Sequence, residues 1–428
     1  MTPIWHCSRR IFFPKESNEM NINTPSMPTD ADRLVYWLDR ICVFGGRRTG
    51  SSSEQQASAW LGEVLAAMGG RLSVQDDAWS GWRPKLASIE AGGAIFEACA
   101  LLNAPGTPAQ GLHAPVLDLG RGTPEDFATH AAQIPGRIIL VAHERMFSAT
   151  TVHRRVKYAE AVARGAAGML VVGHQPGSPV AGSTGMEANE GIPAMGISPE
   201  TAAALVTAGE ATLHLAVETV PATARSHFLE FGPTDGPVVV LSAHIDGHDP
   251  AEAALDNASG CAILLTLAEE VARQSDLPVR LRFCFFNLEE WRLTGSRNHV
   301  ATLDQTDRDQ IIVNINLDSL GIAGPMTALT SDFPHLGPFL QQVFASVGED
   351  LQIHLPFQAN SDHANFAEAG IPAFRLLGGF DDPASSAMAI LSGGDRRDIV
   401  SMPDLVRAKV AVHATMHASM ALPPSSLR

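Results

Sequence analysis

Two adjacent carboxylates, Glu289 and Glu290, follow an apolar run at residues 280–286 in the segment RLRFCFFNLEEWRLTGS. The run first alternates and then becomes wholly apolar, which predicts a buried strand. Open α/β sheets bind their ligands at the carboxyl ends of strands. Because neighbouring side chains on a strand point to opposite faces, one acid could bind a metal while the other handles a proton. An acidic pair that opens a helix, where the dipole favours anions, is the alternative.

Three further side chains of the metal-binding type lie at or just after predicted strands, in SAHIDGHD, LDNASG and NINLDSLG: His244, Asp256 and Asp318. Imidazole together with carboxylates suits zinc, and manganese or cobalt would also be accepted. Taken alone, Asp256 could cap a helix and Asp318 could form a turn. Together with Glu290, the set predicts a metal centre at one edge of a sheet. Asp246, two residues after His244, could fix the tautomer of the imidazole.

The loop after this predicted strand carries two more polar side chains, His248 and Asp249. They add possible ligands, but we expect them to form a hydrated loop.

Strands and helices alternate in the second half of the chain, in GPVVVLSAHIDGHD, LDNASGCAILLTLAEEVARQ, VRLRFCFFNLEE, IIVNINLDSLG and IPAFRLLGG. This order predicts an α/β fold with a mostly parallel sheet covered by helices on both faces. An earlier segment with PGRIILVAHE and GAAGMLVVG predicts a small inserted α/β unit. Its strand ends are poor in acids and histidines, so we expect a lid or spacer. The predicted division is a flexible arm at residues 1–30, a main domain at 31–108 and 221–422, the insert at 109–220 and a tail at 423–428.

Composition narrows the possible partners. A formal net charge of −16 over 428 residues argues against nucleic acid or an anionic membrane surface as a partner. The five cysteines show no paired spacing, and no run approaches the roughly 20 apolar residues of a membrane span. The N-terminus lacks the apolar stretch of a secretory signal, which predicts a cytoplasmic protein. Met20 is an alternative start to Met1.

The segments SAHIDGHD, LDNASGCAILLTLAE, FNLEEWRLTGS and NINLDSLG resemble, in order and spacing, the motifs of the co-catalytic zinc aminopeptidases. That superfamily also includes glutamate carboxypeptidases, glutaminyl cyclases and transferrin-receptor ectodomains. The resemblance covers about residues 35–105 and 222–422 and implies a zinc-exopeptidase-like fold. The segment at about 109–220 resembles the protease-associated (PA) domain that many of these enzymes carry at that point.

The resemblance also implies a role for each candidate residue. Asp256 would bridge two metal ions and form a cis peptide bond with the next residue. His244 and Asp318 would complete one metal site, and Glu290 would belong to the other. Glu289 would be the general base that takes a proton from the attacking water.

One departure from the family pattern concerns the last metal ligand, a histidine that stands four residues before an aspartate. In AILSGGDRRDIV, Asp395 matches the aspartate, and Leu391 or a neighbour stands at the histidine position. A leucine cannot coordinate a metal, so the second site has lost a ligand or uses another. His363, in NSDHANFAEAGIPAF, could replace it, could line the substrate pocket as in the family, or could be hydrogen-bonded in a packed loop.

The function that the resemblance implies is a zinc aminopeptidase, with one or two ions, that acts on small peptides or aminoacyl amides. Glu289 and Asp362 offer negative charge to the α-amino group of such a substrate. The missing histidine leaves two alternatives: a single-metal amidase or cyclase, and a catalytically silent member that only binds. The insert or an exposed sheet edge could also pair two copies into a homodimer.

Overall fold

The computed structural model describes residues 29–428, so the predicted arm at 1–30 lies almost wholly outside the described residues. The strands are, in chain order, β1 (Arg71–Trp79), β2 (Trp82–Ala91), β3 (Ala94–Glu97), β4 (Cys99–Ala100), β5 (Leu112–Asp118), β6 (Ile138–Ala142), β7 (Gly168–Val172), β8 (Ala194–Ile197), β9 (Glu210–Thr219), β10 (Ala222–Phe231), β11 (Val238–His244), β12 (Arg280–Phe286), β13 (Ile311–Leu317), β14 (Met326–Leu329), β15 (Leu351–His354) and β16 (Ala373–Gly378). The helices are α1 (Asp30–Cys42), α2 (Ser52–Ala67), α3 (Pro124–Thr129), α4 (Arg154–Ala163), α5 (Pro199–Ala208), α6 (Ser259–Val271), α7 (Thr294–Thr302), α8 (Gln305–Gln310), α9 (Leu336–Ser346), α10 (His363–Glu368) and α11 (Met402–Met420). Among the described residues, no helix combines the length and apolar character that crossing a membrane requires.

The larger part of the chain is built on one sheet with the strand order β1-β10-β12-β11-β13-β16-β14-β15. Strands β12, β11, β13 and β16 run parallel to one another at its centre. Strands β10 and β14 pair antiparallel at the two sides of this centre. The predicted α/β class is confirmed, and the parallel part of the sheet is its core.

Helices cover both faces of this sheet because its central strands are apolar on both sides. In β11, Val239 and Leu241 pack into the cluster that includes α1, α6 and α11. The alternate residues Val238 and Val240 pack into a second cluster with α7 and α10. A strand buried on both faces is typical of a parallel sheet between two helical layers.

The order of the central strands fixes where a ligand can bind. After β11 the chain continues to β12 on one side and then to β13 on the other side of β11. The connections therefore diverge at the carboxyl end of β11, which leaves a crevice there. His244 is the last residue of β11, so it stands at this switch point.

The second sheet has the order β3-β2-β9-β5-β6-β7-β8-β4 and contains the predicted insert. It begins before residue 109, where the insert was predicted to start, because β2 pairs with β9 from Trp82↔Thr219 to Glu90↔Thr212. Strands β3 and β4 also belong to it. The sequence gave no strand signal there, since β2 is mostly half-exposed and carries no apolar run.

One ion-pair network joins the helical layer behind the site. The Nζ atom of Lys409 in α11 lies 2.8 Å from Asp30 at the start of α1 and 2.6 Å from Glu270 in α6. The Lys409 side chain is 6% exposed, so its charge depends on these two carboxylates.

We expect Lys409→Met to lower the free energy of unfolding by about 2 kcal/mol, the scale of buried hydrogen bonds to charged groups. Urea denaturation monitored by circular dichroism measures this change. Lys85→Met is the control, because the Lys85 side chain is 54% exposed in its pair with Glu218 and should contribute under about 0.5 kcal/mol. Equal stability of the two variants would contradict a structural role for the network.

Candidate metal centre

The predicted ligands converge where β11 and β13 end. The Nε2 atom of His244 lies 3.2 Å from Oδ1 of Asp256 and 3.7 Å from Oδ1 of Asp318. Asp318 directly follows β13, the parallel neighbour of β11. Asp256 lies in the segment Ala254–Ala258 before α6, where the backbone is not helical at Asp256 and Asn257, and its peptide bond to Asn257 is cis, as the resemblance implies.

Two overlapping groups of possible ligands share His244. The ligand atoms of His244, Glu289 and Asp318 lie within 4.8 Å of one another, and so do those of His244, Asp256 and Glu290. Two atoms within these groups, Nε2 of His244 and Oε1 of Glu290, are buried and have no hydrogen-bond partner. An imidazole among several carboxylates, with orphaned buried acceptors, is a donor set that fits zinc.

The acidic pair does not lie on a strand, so the prediction that its side chains alternate across one is wrong. Strand β12 ends at Phe286, and the chain turns through Leu288, whose φ is +61°. The carboxylate of Asp246 holds this turn in place. Its Oδ1 accepts from the backbone N–H of Glu289 at 3.2 Å, and its Oδ2 accepts from that of Glu290 at 3.3 Å. Both acids therefore face the same site from a turn.

Asp246 was predicted to fix the tautomer of the His244 imidazole, and in the structure its backbone carbonyl makes the contact to the ring. The Nδ1 atom of His244 is 3.0 Å from the Asp246 carbonyl oxygen and 3.7 Å from Oδ1. A ring N–H donated to a carbonyl leaves Nε2 free to bind a metal. One residue thus orients the imidazole with its main chain and the acidic turn with its side chain.

Arg47 is a site-forming residue that the sequence did not reveal. It lies in the turn-rich segment FGGRRTGSSSE between α1 and α2 and is wholly buried. Its Nε donates to the carbonyl of Ile245 at 2.9 Å, and its Nη2 donates to that of Ala253 at 2.9 Å. These carbonyls stand just after His244 and just before Asp256, so one guanidinium ties both ligand segments together.

Burial and like charge strain this cluster electrostatically. Burial raises the pKa of Glu289 and of Glu290 well above the usual range, and the charges of neighbouring carboxylates add to the shift. Burial alone would lower the pKa of His244, but Glu289 and the aspartates around the ring raise it well above its usual value. Burial would raise the pKa of Asp318, but Arg375, at 3.1 Å, holds it below the usual range. The excess negative charge favours a bound cation.

The site opens into a cavity of about 310 Å³ whose wall comes from both sheets. Glu289 and Glu290 line it from the main sheet, and residues 153–155 and Ser183 line it from the insert. Arg154 is buried there, which lowers its pKa to about 10, and its Nε donates to the carbonyl of Ser183 at 2.9 Å. The insert, expected to be a lid or spacer, therefore forms part of the pocket.

Two candidates from the sequence lie outside the ligand groups. His363 begins α10, is wholly buried, belongs to neither group of possible ligands and does not line the cavity. Asp362 beside it is also wholly buried, which raises its pKa to about 7. Neither contacts the cavity in which a substrate amine would lie. The role of His363 stays a prediction.

His248 differs from its expectation. It was predicted to lie in a hydrated loop, but it is 5% exposed and its Nε2 is 2.7 Å from Oε2 of Glu290. The adjacent Asp249 is half-exposed and pairs with Arg48 at 2.8 Å. The spacing of His248 from His244 marked it as a possible ligand. Its contact with Glu290, 42 residues further along the chain, could not be predicted from that spacing.

Comparison with known proteins agrees with this geometry. Residues 229–401 match the model of peptidase family M28, and residues 102–205 match the PA domain. The chain is 31% identical over 158 residues to leupeptin-inactivating enzyme 1 of Streptomyces exfoliatus, spanning 37% of this chain and 36% of that protein. It is 29% identical over 283 residues to aminopeptidase YwaD of Bacillus subtilis, spanning 64% of this chain and 59% of that protein. The match thus spans between about a third and three fifths of these relatives.

The fold is similar to that of a solved structure, BSAP, a zinc aminopeptidase from Bacillus subtilis. The TM-score is 0.75 with 22% sequence identity, and the alignment covers 93% of this chain and 97% of that chain. A likeness at this identity establishes the architecture of both sheets together.

We expect Arg47→Lys to weaken metal binding by about 10- to 100-fold, the usual effect of losing a group that supports a ligand. A lysine has a single ammonium and cannot reach both carbonyls in the same plane. Titration with zinc against a chelator of known affinity measures the change. Arg71→Lys is the matched control, because Arg71 also donates to two carbonyls, Gly232 and Pro233, at the opposite end of the sheet. Unchanged zinc affinity in the Arg47 variant would show that the two hydrogen bonds of Arg47 do not support metal binding.

Proposed function

We propose that this chain, a member of peptidase family M28 that carries a PA domain, is a metal-dependent aminopeptidase acting on small peptides or aminoacyl amides. Membership in the family makes it a hydrolase. The observation that carries the proposal is the position of Glu289. It lines the cavity and belongs to one of the two imidazole–carboxylate groups, so a proton acceptor stands where a water and a scissile carbonyl would meet.

Zinc is the proposed cofactor, with manganese or cobalt as possible substitutes. His244, Asp256, Glu290 and Asp318 would hold it, and each offers a nitrogen or oxygen atom at the carboxyl edge of the sheet. When bound, the metal supplies Lewis-acid chemistry: it lowers the pKa of water and polarises the substrate carbonyl.

Glu289 is the proposed general base. Asp246 fixes its backbone through the 3.2 Å hydrogen bond, so the carboxylate keeps its place during proton transfer from the attacking water. Because Glu289 is 8% exposed, little bulk water competes for that proton.

The names of relatives support the direction of this proposal. One relative is called an aminopeptidase and another a leupeptin-inactivating enzyme, and the similar structure is titled a zinc aminopeptidase. An enzyme of this type acts at the free amino end of its substrate. The negative charge of the cluster, together with the overall charge of −16, suits a protonated α-amino group.

We expect Glu289→Gln to keep its full metal content while the turnover number falls by at least about 100-fold, the scale of losing a general base. Metal analysis and steady-state kinetics on the same preparation separate these two effects. Glu218→Gln is the control, since Glu218 lies on β9 of the insert and pairs with Arg83 and Lys85. Loss of metal in the Glu289 variant would instead make Glu289 a ligand.

We expect a chelator to abolish hydrolysis and added zinc to restore it. The assay compares leucine p-nitroanilide with N-acetyl-leucine p-nitroanilide, which differ only in the free amino group. Cleavage of the first alone supports an aminopeptidase. Cleavage of the acetylated compound would favour an amidase, and loss of ammonia from N-terminal glutamine peptides would favour a cyclase. Retained metal without any turnover of these compounds would favour a silent binding protein.

A further inference from the structure

The loop that carries the departure from the family pattern is anchored directly to a predicted ligand. Asp395 accepts from the backbone N–H of Leu255 at 2.7 Å and of Asp256 at 3.2 Å. This contact holds the loop against the segment of Asp256. The residue four positions before Asp395 is Leu391. Its side chain is 4% exposed and lines the cavity beside Asp256 and Glu290. An apolar leucine side chain therefore stands at the position where the resemblance implies a histidine.

The imidazole of His248, which lies on another loop, contacts the carboxylate of Glu290. The Nε2 atom of His248 lies 2.7 Å from Oε2 of Glu290, and the second oxygen of that carboxylate is buried without a hydrogen-bond partner. His248, Asp256 and Leu391 also line one small cavity next to the main one. His248 therefore lines the same small cavity as Leu391, the residue at the position of the missing histidine.

We infer that His248 replaces the missing histidine and is, with Asp256 and Glu290, a ligand of the second metal ion. Donor atoms bound to one tetrahedral zinc at about 2.0 Å are about 3.3 Å apart. The separation of 2.7 Å between Nε2 of His248 and Oε2 of Glu290 is somewhat shorter than that value. Binding one ion would therefore require the side chains of His248 and Glu290 to move slightly apart.

The backbone that presents His248 is held in place. A side chain at Gly46 would put its Cβ 2.3 Å from the His248 carbonyl oxygen, so only glycine allows this close approach. On the next residue, Asp249 accepts from Arg48 at 2.8 Å. The segment that follows α1 therefore clamps the loop of His248 from one side. A ligand held this way loses little conformational entropy on binding metal.

His363, the other candidate replacement, is not placed to do this. It is wholly buried at the start of α10 and lines neither cavity, and neither of its ring nitrogens hydrogen-bonds to Glu290. The inference about His248 rests on the proposed metal dependence of the protein, and the test must separate the two.

The experiment measures zinc bound per chain, by mass spectrometry of the metal after equilibration with buffered zinc. We expect two equivalents in the wild-type protein and one in His248→Gln, while circular dichroism shows both folded. His335→Gln, which removes an exposed imidazole at the start of α9, should keep two equivalents. Cobalt substitution gives a second readout, because loss of one imidazole changes the visible absorption of the second ion.

A rescue variant makes the test specific for a ligand. The pair His248→Gln and Leu391→His returns an imidazole to the same metal from the other loop, and we expect it to recover the second equivalent. A residue that merely hydrogen-bonds to Glu290 would not be replaced in this way.

The outcomes separate the two proposals. Two equivalents of unchanged affinity in His248→Gln would overturn the assignment of His248 and leave the aminopeptidase proposal intact. One equivalent in the wild-type protein would also overturn it, in favour of a single-metal enzyme. No bound metal in the wild-type protein would overturn both.

Discussion

Four carboxylates converge on the single imidazole of His244 in a corner of the sheet that water scarcely reaches. Removing such charges from water without a compensating cation costs several kcal/mol per ion. The raised pKa values of Glu289 and Glu290 are the electrostatic expression of that cost. The surrounding framework is arranged to keep these groups together in spite of their repulsion. Asp246 and Asp395 accept hydrogen bonds from backbone N–H groups of the predicted ligand segments, and Arg47 donates to backbone carbonyls beside them. Nε2 of His244 and Oε1 of Glu290 remain without a hydrogen-bond partner.

The topology explains why this corner lies where it does. The chain passes from β11 to β12 on one side and then from β12 to β13 on the other side of β11, so a crevice opens at the carboxyl end of β11. His244 and Asp318 follow from that geometry, because each ends or directly follows a parallel strand. Asp256 comes from the start of the segment leading into α6, where Asn257 accepts from the N–H of Gly260 at 3.0 Å. These three predicted ligands are thus placed by the ends of elements that the chain forms to bury its core.

The parts of this arrangement that could be predicted from sequence are those that depend on local pattern. Apolar runs identified β11, β12, β13 and β16, and the polar residues at or after their ends are the predicted metal ligands that the structure brings together. Two local arguments failed. Alternation on a strand does not separate Glu289 from Glu290, because β12 stops at Phe286 and leaves them in a turn. The half-exposed β2 carried no apolar run, so the second sheet begins earlier than predicted. Neither the role of Arg47 nor the contact of His248 with Glu290 could be predicted, since these contacts join segments about 200 and 42 residues apart. Such contacts exist only once the sheet has brought those segments together.

The insert is tied to the loop that carries Leu391. The carbonyl of Leu391 accepts from the N–H of Ala181 at 2.6 Å, and the N–H of Gly393 donates to Ser178 at 2.9 Å. This loop is therefore held from two sides, by the insert at residues 391–393 and by Asp256 through Asp395. A loop so fixed keeps its path when the residue at 391 changes, so replacing a ligand there by leucine alters the donor set without displacing the pocket wall. Both sheets therefore contribute to the cavity. A shift of the insert would move the cavity wall that its residues form.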